Sequence, residues 1–359
     1  MANPPAELEL PAVIAAESAG QPAPGIVPGA RVATGRFGRW QRPIRVGFLL
    51  LAAGLCTFAV VDRWDQVRDS LGRLDAAPLA VSLLAAIGGS AVSMLVWRSL
   101  LIDLGSHMPV RSVAWVFFVG QLGKYIPGAI WPMVAQMELG RTLGLPRRRS
   151  AAAFMLTMLV VFASALFIAS AALPLLGAES AWYRWLLVLA PIIAGLLHPQ
   201  VANRLLSLLF RALRREPLER PLTGRGVLRA FGWSLVAWGL FGIHLGVLVM
   251  DLGVPAQQAL PLAVGAFAIA WCAGPIVMIA PAGAGVRELA LVALLAPVLD
   301  PAAALVVALV SRLFLTIADL ALAGTSALIA GPLRAERISV RRRATSMRPS
   351  DRRDGAGAA

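Results

Sequence analysis

Long apolar runs separated by short basic loops fill most of the 359-residue chain. Runs near or above the ~20 residues a helix needs to cross the hydrocarbon core predict full transmembrane spans. Six fit: Ile44 to Val61, Ala76 to Trp97, Ser150 to about Leu173, Trp182 to His198, Ala230 to Met250 and Ala302 to Ala330. Two further apolar stretches are interrupted. Ser112 to Met137 carries Lys124-Tyr125-Ile126-Pro127-Gly128 at its centre, and Ala259 to Leu299 carries PAGAGVRE, Pro281 to Glu288. A membrane helix tolerates such breaks only where protein or a water-filled cavity satisfies the freed backbone groups.

Charge sets the expected topology. Arg31, Arg36, Arg39, Arg42 and Arg45 precede the first span, which places the N-terminus in the cytoplasm. The loop Asp62 to Asp75 balances arginines with aspartates and suits the outside. Arg98 and Arg111 precede the first broken segment, and Arg141 and Arg147 to Arg149 follow it. With both flanks cytoplasmic, Ser112 to Met137 reads as a re-entrant helix-break-helix hairpin. From outside at Asp251 to inside at Arg334 the chain must cross an odd number of times. A second hairpin plus one span satisfies this, as do three full crossings. The expected fold is therefore an all-α polytopic membrane protein of about six full spans and two broken hairpins, the alternative being eight transmembrane helices. In the hairpin version the halves 44–178 and 182–330 form an inverted repeat, the arrangement that places a transporter site near the midplane.

Outside this membrane domain, 31–333, the chain reads as two disordered tails. Residues 1–30 are rich in Ala and Pro and have an acidic start, unlike a signal peptide, and 334–359 are basic. Gln200 to Arg215 reads as a basic amphipathic helix lying on headgroups, with Arg204 and Arg211 on one face and Leu205 and Leu208 on the other.

The composition is 58% hydrophobic and 14% charged, with a mean hydropathy of +0.74, which excludes an ordinary soluble domain. The net charge of +14 lies in loops and tails beside spans, so it points to orientation and anionic headgroups and not to nucleic acid. Cys56 and Cys272 sit in apolar runs, and the three histidines (His107, His198, His244) are scattered, so neither disulfide nor metal site is expected. His244 reads as a helix-packing residue ahead of a proton relay. GQLGKY has Phe118 where a phosphate loop needs Gly, and GAGVRE lacks the third glycine of a dinucleotide site. No cofactor is expected.

Charges within spans are costly, ~2.5–3.5 kcal/mol each at the centre, and are usually functional. Lys124, Arg287, Glu288, Arg312 and Asp319 are the candidates. Lys124 is the only lysine in the sequence. Such a choice suggests a site that needs a compact ammonium, although a lysine snorkelling from a helix end is the simpler reading. Arg287 and Glu288 could neutralise each other at a helix start. Arg312 and Asp319, seven apart on one helical face, are either a structural pair reached through neighbouring helices or part of the site, with Asp319 a candidate proton relay. Gln121, Gln136 and Glu138 could line a cavity with Lys124 and Tyr125, or cap the hairpin. Helix starts after Gly128 and Gly285 would add N–H groups, and the whole would favour an anion such as a lipid phosphate.

At these two motifs the chain resembles the flippase-like membrane region of the lysylphosphatidylglycerol synthases, over roughly residues 44 to 330. QLGKYIPGAIW is similar to its Lys-Tyr-hydrophobic-Pro-Gly-x-hydrophobic-Trp signature, matched by Lys124, Tyr125, Pro127, Gly128 and Trp131. PAGAGVRELALVALL is similar to its Pro-Gly-Gly-x-Gly-x-Arg-Glu helix start, matched by Pro281, Gly283, Gly285, Arg287 and Glu288. Ala282 departs where the family commonly has Gly. The resemblance implies lipid translocation or handling of a lipid-linked substrate, with anionic membrane phospholipids as partners and the cell membrane as location. The bifunctional members add an aminoacyl-transfer domain, which is not expected here. A membrane enzyme on a lipid-linked substrate, using Glu138, Glu288 or Asp319, and a scaffold are the rival readings.

Overall fold

The computed structural model describes residues 61–126, 130–172, 195, 197–212, 220–276 and 283–346, with 209–210 and 331–346 described by backbone alone. Among these residues there is no strand. The helices are α1 Trp64–Gly72, α2 Ala76–Asp103, α3 Val110–Gln121, α4 Trp131–Thr142, α5 Arg147–Ala172, α6 Pro199–Ala212, α7 Gly224–Asp251, α8 Ala256–Ile276, α9 Val286–Leu295 and α10 Pro301–Ser346, with a 3₁₀ turn at Leu122–Tyr125.

Among the described residues, five segments are long and apolar enough to cross a bilayer: Ala76–Asp103, Arg147–Ala171, Gly224–Asp251, Ala256–Pro275 and Pro301–Ala330. Four of them cover spans expected from sequence. The expected first span, and all but the end of the fourth, lie outside the described residues. The fifth, in α8, is the first arm of the second broken segment, which is thus long enough to cross. Its other arm, α9, has 10 residues and reaches only about 15 Å at ~1.5 Å per residue. Both arms of the first hairpin, α3 and α4, have 12 residues, about 18 Å each, too short for the ~30 Å core.

Two segments differ from the expected elements. The loop between the first two spans contains α1, whose Val67 is buried against Ala302 and Val306 of α10. α10 runs past Arg334 to Ser346, into the stretch read as tail, because its Arg, Ala and Glu residues are good helix formers.

The packing repeats between the halves. α2 and α7, which an inverted repeat would make equivalent, make the most extensive contact. α5 packs on α7 and α8, and its counterpart α10 packs on α2 and α3. α4 lies on α5 as α9 lies on α10. Each half therefore lends its last long helix to the broken segment of the other, the contact pattern that two swapped, equivalent units produce.

Small residues set the closest approaches. On α2 the Gly88–Gly89 patch receives Leu240 and Phe241 of α7, and a Cβ on Gly89 would lie 2.8 Å from the Phe241 ring. Within the first hairpin, a Cβ on Gly120 would meet Gln136 Cγ at 2.5 Å, and one on Gly123 would meet the Pro132 nitrogen and Trp131 carbonyl carbon at 2.8 Å. The latter neighbours are backbone and cannot swing aside. Gly123→Ala should therefore cost about 1–3 kcal/mol, seen as a lower melting temperature in detergent.

Candidate functional site

The two breaks bring charged groups onto one interior surface. At the first, the α3 helix tightens into the 3₁₀ turn, and the backbone extends at Ile126. The turn carries Lys124 and Tyr125 to α10. Lys124 Nζ lies 2.6 Å from Asp319 Oδ2, and the Tyr125 hydroxyl donates to the same oxygen at 2.7 Å. Lys124 is one-third exposed, so the pair is not sealed from the cavity beside it.

At the second break the chain turns through Gly283 and Gly285, with φ of 70° and 84°, a left-handed region open to glycine at little cost. Gly283 passes so near Gly274 of α8 that a Cβ on it would lie 2.9 Å from the Gly274 Cα. The Gly285 N–H donates to Glu288 Oε2 at 2.7 Å, satisfying one of the free donors at the start of α9. The other oxygen, Oε1, accepts from Arg312 Nη1 at 2.6 Å. Glu288 is buried and both its oxygens are engaged.

Arg287 is left over. Its guanidinium lies over the Phe267 ring, 4.5 Å from the centroid, and its Nη2 is out of reach of solvent with no hydrogen-bond partner. The ring face supplies a favourable quadrupole but no acceptor. Around the two breaks three cations, Lys124, Arg287 and Arg312, stand against two carboxylates, Asp319 and Glu288, and each carboxylate has its own cation. Among the described residues, one positive charge remains without a counter-ion.

A cavity of about 100 Å³ opens beside these groups. A water needs ~10–15 Å³ of such space, so it has room for more than one small polar group. Both broken segments reach it, the first through Gln121, Lys124 and Gln136, the second through Arg287, and Asp319 lines it from α10. Aromatic rings, including Trp97, Trp238 and Phe267, form about half of the rest of the wall, and aliphatic and hydroxyl side chains such as Val161 and Thr157 form the remainder. Two of these wall residues, Trp97 and Gln136, are fully buried and carry polar atoms without partners: Trp97 Nε1, and both Gln136 Oε1 and Nε2. Tyr125, Glu288 and Arg312 do not line the cavity; Tyr125 donates to Asp319 at its edge, and Glu288 and Arg312 pair with each other.

Several polar groups away from the cavity are bonded within the packing. His244 on α7 is fully buried, with Nδ1 2.8 Å from Ser82 Oγ of α2 and Nε2 2.8 Å from Ser311 Oγ of α10. It joins three helices, a packing role. Ser164 Oγ accepts the Trp238 indole N–H at 2.9 Å and lies 2.6 Å from Ser234 Oγ. Glu138 is away from the cavity, paired with Arg147 at 2.7 Å and Arg141 at 3.2 Å. Slight desolvation pushes its carboxyl up, but the Arg147 and Arg141 hydrogen bonds outweigh this and hold it below the usual carboxylate range. No group of His, Cys, Asp and Glu among the described residues could hold a metal.

Of the breaking residues, Pro127, Gly128 and Pro281 lie outside the described residues. Trp131 opens α4, with Pro132 beside it in the first turn, where proline's missing N–H costs nothing. Sequence reasoning did not find Trp97, because a tryptophan at a helix end reads as an interfacial anchor. It also could not assign partners to the charges. Those pairings join residues 24 and 194 positions apart.

A helical membrane protein with two interrupted segments closing on an internal, net-cationic cavity is thus the class that fold and site define. Residues 44–323 match the model of the lysylphosphatidylglycerol synthase TM region, and the chain belongs to that family. Comparison with curated proteins returns no match.

Proposed function

We propose that the protein is a lipid translocator that binds an anionic phospholipid, or a lipid-linked phosphate, in the cavity between its two broken segments. The observation that carries this reading is Arg287, a cation with no counter-ion at a cavity to which both interruptions contribute. A phosphate would supply the acceptor oxygens that Phe267 cannot, in a charge-assisted bond. The aromatic wall suits the glycerol and first methylenes of an acyl chain. The exchange of α5 and α10 between the halves gives each half a grip on the other's broken segment, so rocking of one half would open the cavity on alternate faces.

The enzyme reading is less well supported. The three carboxylates it would draw on, Glu138, Glu288 and Asp319, are all engaged in ion pairs. The basic loops favour a cell-membrane protein with both termini cytoplasmic. Helix α6 is in keeping with this: Ala202 and Leu206 face the protein, Leu205 and Leu208 are exposed, and Asn203 is bonded to Leu222 through both its amide atoms. That places an apolar stripe beside Arg204 and Arg211 for the headgroup layer.

The test is translocation of a fluorescent anionic phospholipid in proteoliposomes. Arg287→Gln, which removes the charge and leaves a shorter, neutral polar side chain, should slow it tenfold or more. Equal rates for Arg287→Gln and the unaltered protein would remove Arg287 as the phosphate ligand.

A further inference from the structure

Gln136 is the feature of the cavity that a phosphate alone does not explain. It is 1% exposed, its stem is seated in the space left by Gly120, and it lines the cavity. Its amide offers both a donor and an acceptor. Neither has a partner, in a position where a leucine would fill the same space without leaving polar atoms unpaired. The cavity is the place from which a partner can come. Trp97 Nε1 and Arg287 Nη2, the other solvent-buried atoms on this wall without partners, can only donate, and phosphate oxygens satisfy them. A group that complements Gln136 must both give and accept a hydrogen bond, which a hydroxyl does. A quaternary ammonium or an alkyl headgroup does neither.

We infer that Gln136 is a specificity-determining residue which selects, at the site proposed above for an anionic lipid, a phosphodiester whose headgroup carries a hydroxyl. The inference rests on that reading of the cavity. A buried amide kept at some cost in stability is the usual mark of a group whose partner arrives with the ligand.

Phosphatidylglycerol and phosphatidylpropanol provide the test, since they share charge and headgroup length and differ only in hydroxyls. Proteoliposomes would carry either lipid with a fluorescent acyl chain, with phosphatidylcholine as the third arm. The unaltered protein should move phosphatidylglycerol about tenfold or more faster than phosphatidylpropanol, the discrimination expected when a buried polar group is left unpaired. Gln136→Leu should bring the two anionic lipids to one rate and should melt no lower than the unaltered protein. Competition by soluble glycerol phosphate, lost in Gln136→Leu, would keep the hydroxyl requirement and show that a water-soluble ester also satisfies it. Equal rates for the two anionic lipids in the unaltered protein, a rate ratio that survives Gln136→Leu, or a melting temperature lowered by several degrees would each overturn the inference. In those cases the anionic-lipid reading stands as long as transport still needs Arg287. Transport of none of the three lipids above protein-free vesicles would instead remove the underlying reading, and the inference with it.

Discussion

Glu288→Ala is expected to destabilise the protein by about 3–5 kcal/mol, the range for breaking one side of a buried ion pair. The residue is buried, and its two oxygens serve different partners. Removing it orphans the Gly285 N–H at the start of α9 and leaves the Arg312 guanidinium without its carboxylate on a helix long and apolar enough to cross the membrane. It also places a second uncompensated cation near Arg287. Glu288→Gln should cost less, because an amide oxygen can still accept from Gly285. Glu288→Ala combined with Arg312→Leu should recover much of the loss, since the stranded charge goes with its partner. Thermal unfolding in detergent measures all three. A single Glu288→Ala variant as stable as the unaltered protein would mean that Arg312 finds other compensation and that the second break is not held by this pair.

Much of this arrangement is legible in the sequence, and the reason is the bilayer. The apolar length needed to cross it and the ban on unsatisfied backbone in lipid make runs and breaks easy to read. Lys124 and the PAGAGVRE stretch stand out because polar and helix-breaking residues are costly there. The Gly88–Gly89 patch likewise announces a close helix contact before its partner is known. What does not follow from sequence is which charge compensates which. Arg287 and Glu288 are adjacent, and Arg312 and Asp319 share a face, so proximity suggests two pairs that the fold does not make. The chain rotation at Gly285 turns Glu288 back onto its own helix start and towards Arg312, while Arg287 lies over Phe267. Asp319 takes the lysine from the other half. These choices depend on how α10 packs across both broken segments, a long-range property that no local pattern encodes. The balance of the second hairpin was also hidden. α8 and α9 differ in length by a factor of about two, though the sequence shows only two apolar arms around a break.

Charge at the cavity should order ligand affinity in a series of variants at Lys124 and Asp319. Asp319→Asn frees Lys124 and raises the local balance from one uncompensated cation to two, and the amide can still accept the Tyr125 hydroxyl. Lys124→Gln does the opposite, leaving Asp319 as an acceptor-only anion facing the position where a phosphate would sit. Two unit charges ~4 Å apart interact by about 4 kcal/mol at an effective dielectric of 20, and with Lys124 one-third exposed a smaller part of this survives. A tenfold change in affinity, about 1.4 kcal/mol, is the expected step in each direction. Anionic lipid should therefore bind most tightly to Asp319→Asn and most weakly to Lys124→Gln. The double variant should fall near the unaltered protein, because the neutral pair restores the balance set by Arg287 alone. Added salt should narrow the spread, since the cavity is open enough for ions to screen it. Tight binding also slows release, so Asp319→Asn should bind best yet transport more slowly than the unaltered protein. Affinities read from lipid-dependent thermal shifts, set beside transport rates, separate the two effects. An order that ignores charge, with the double variant as impaired as Lys124→Gln, would show that Lys124 acts through contacts and not through the electrostatic balance of the cavity.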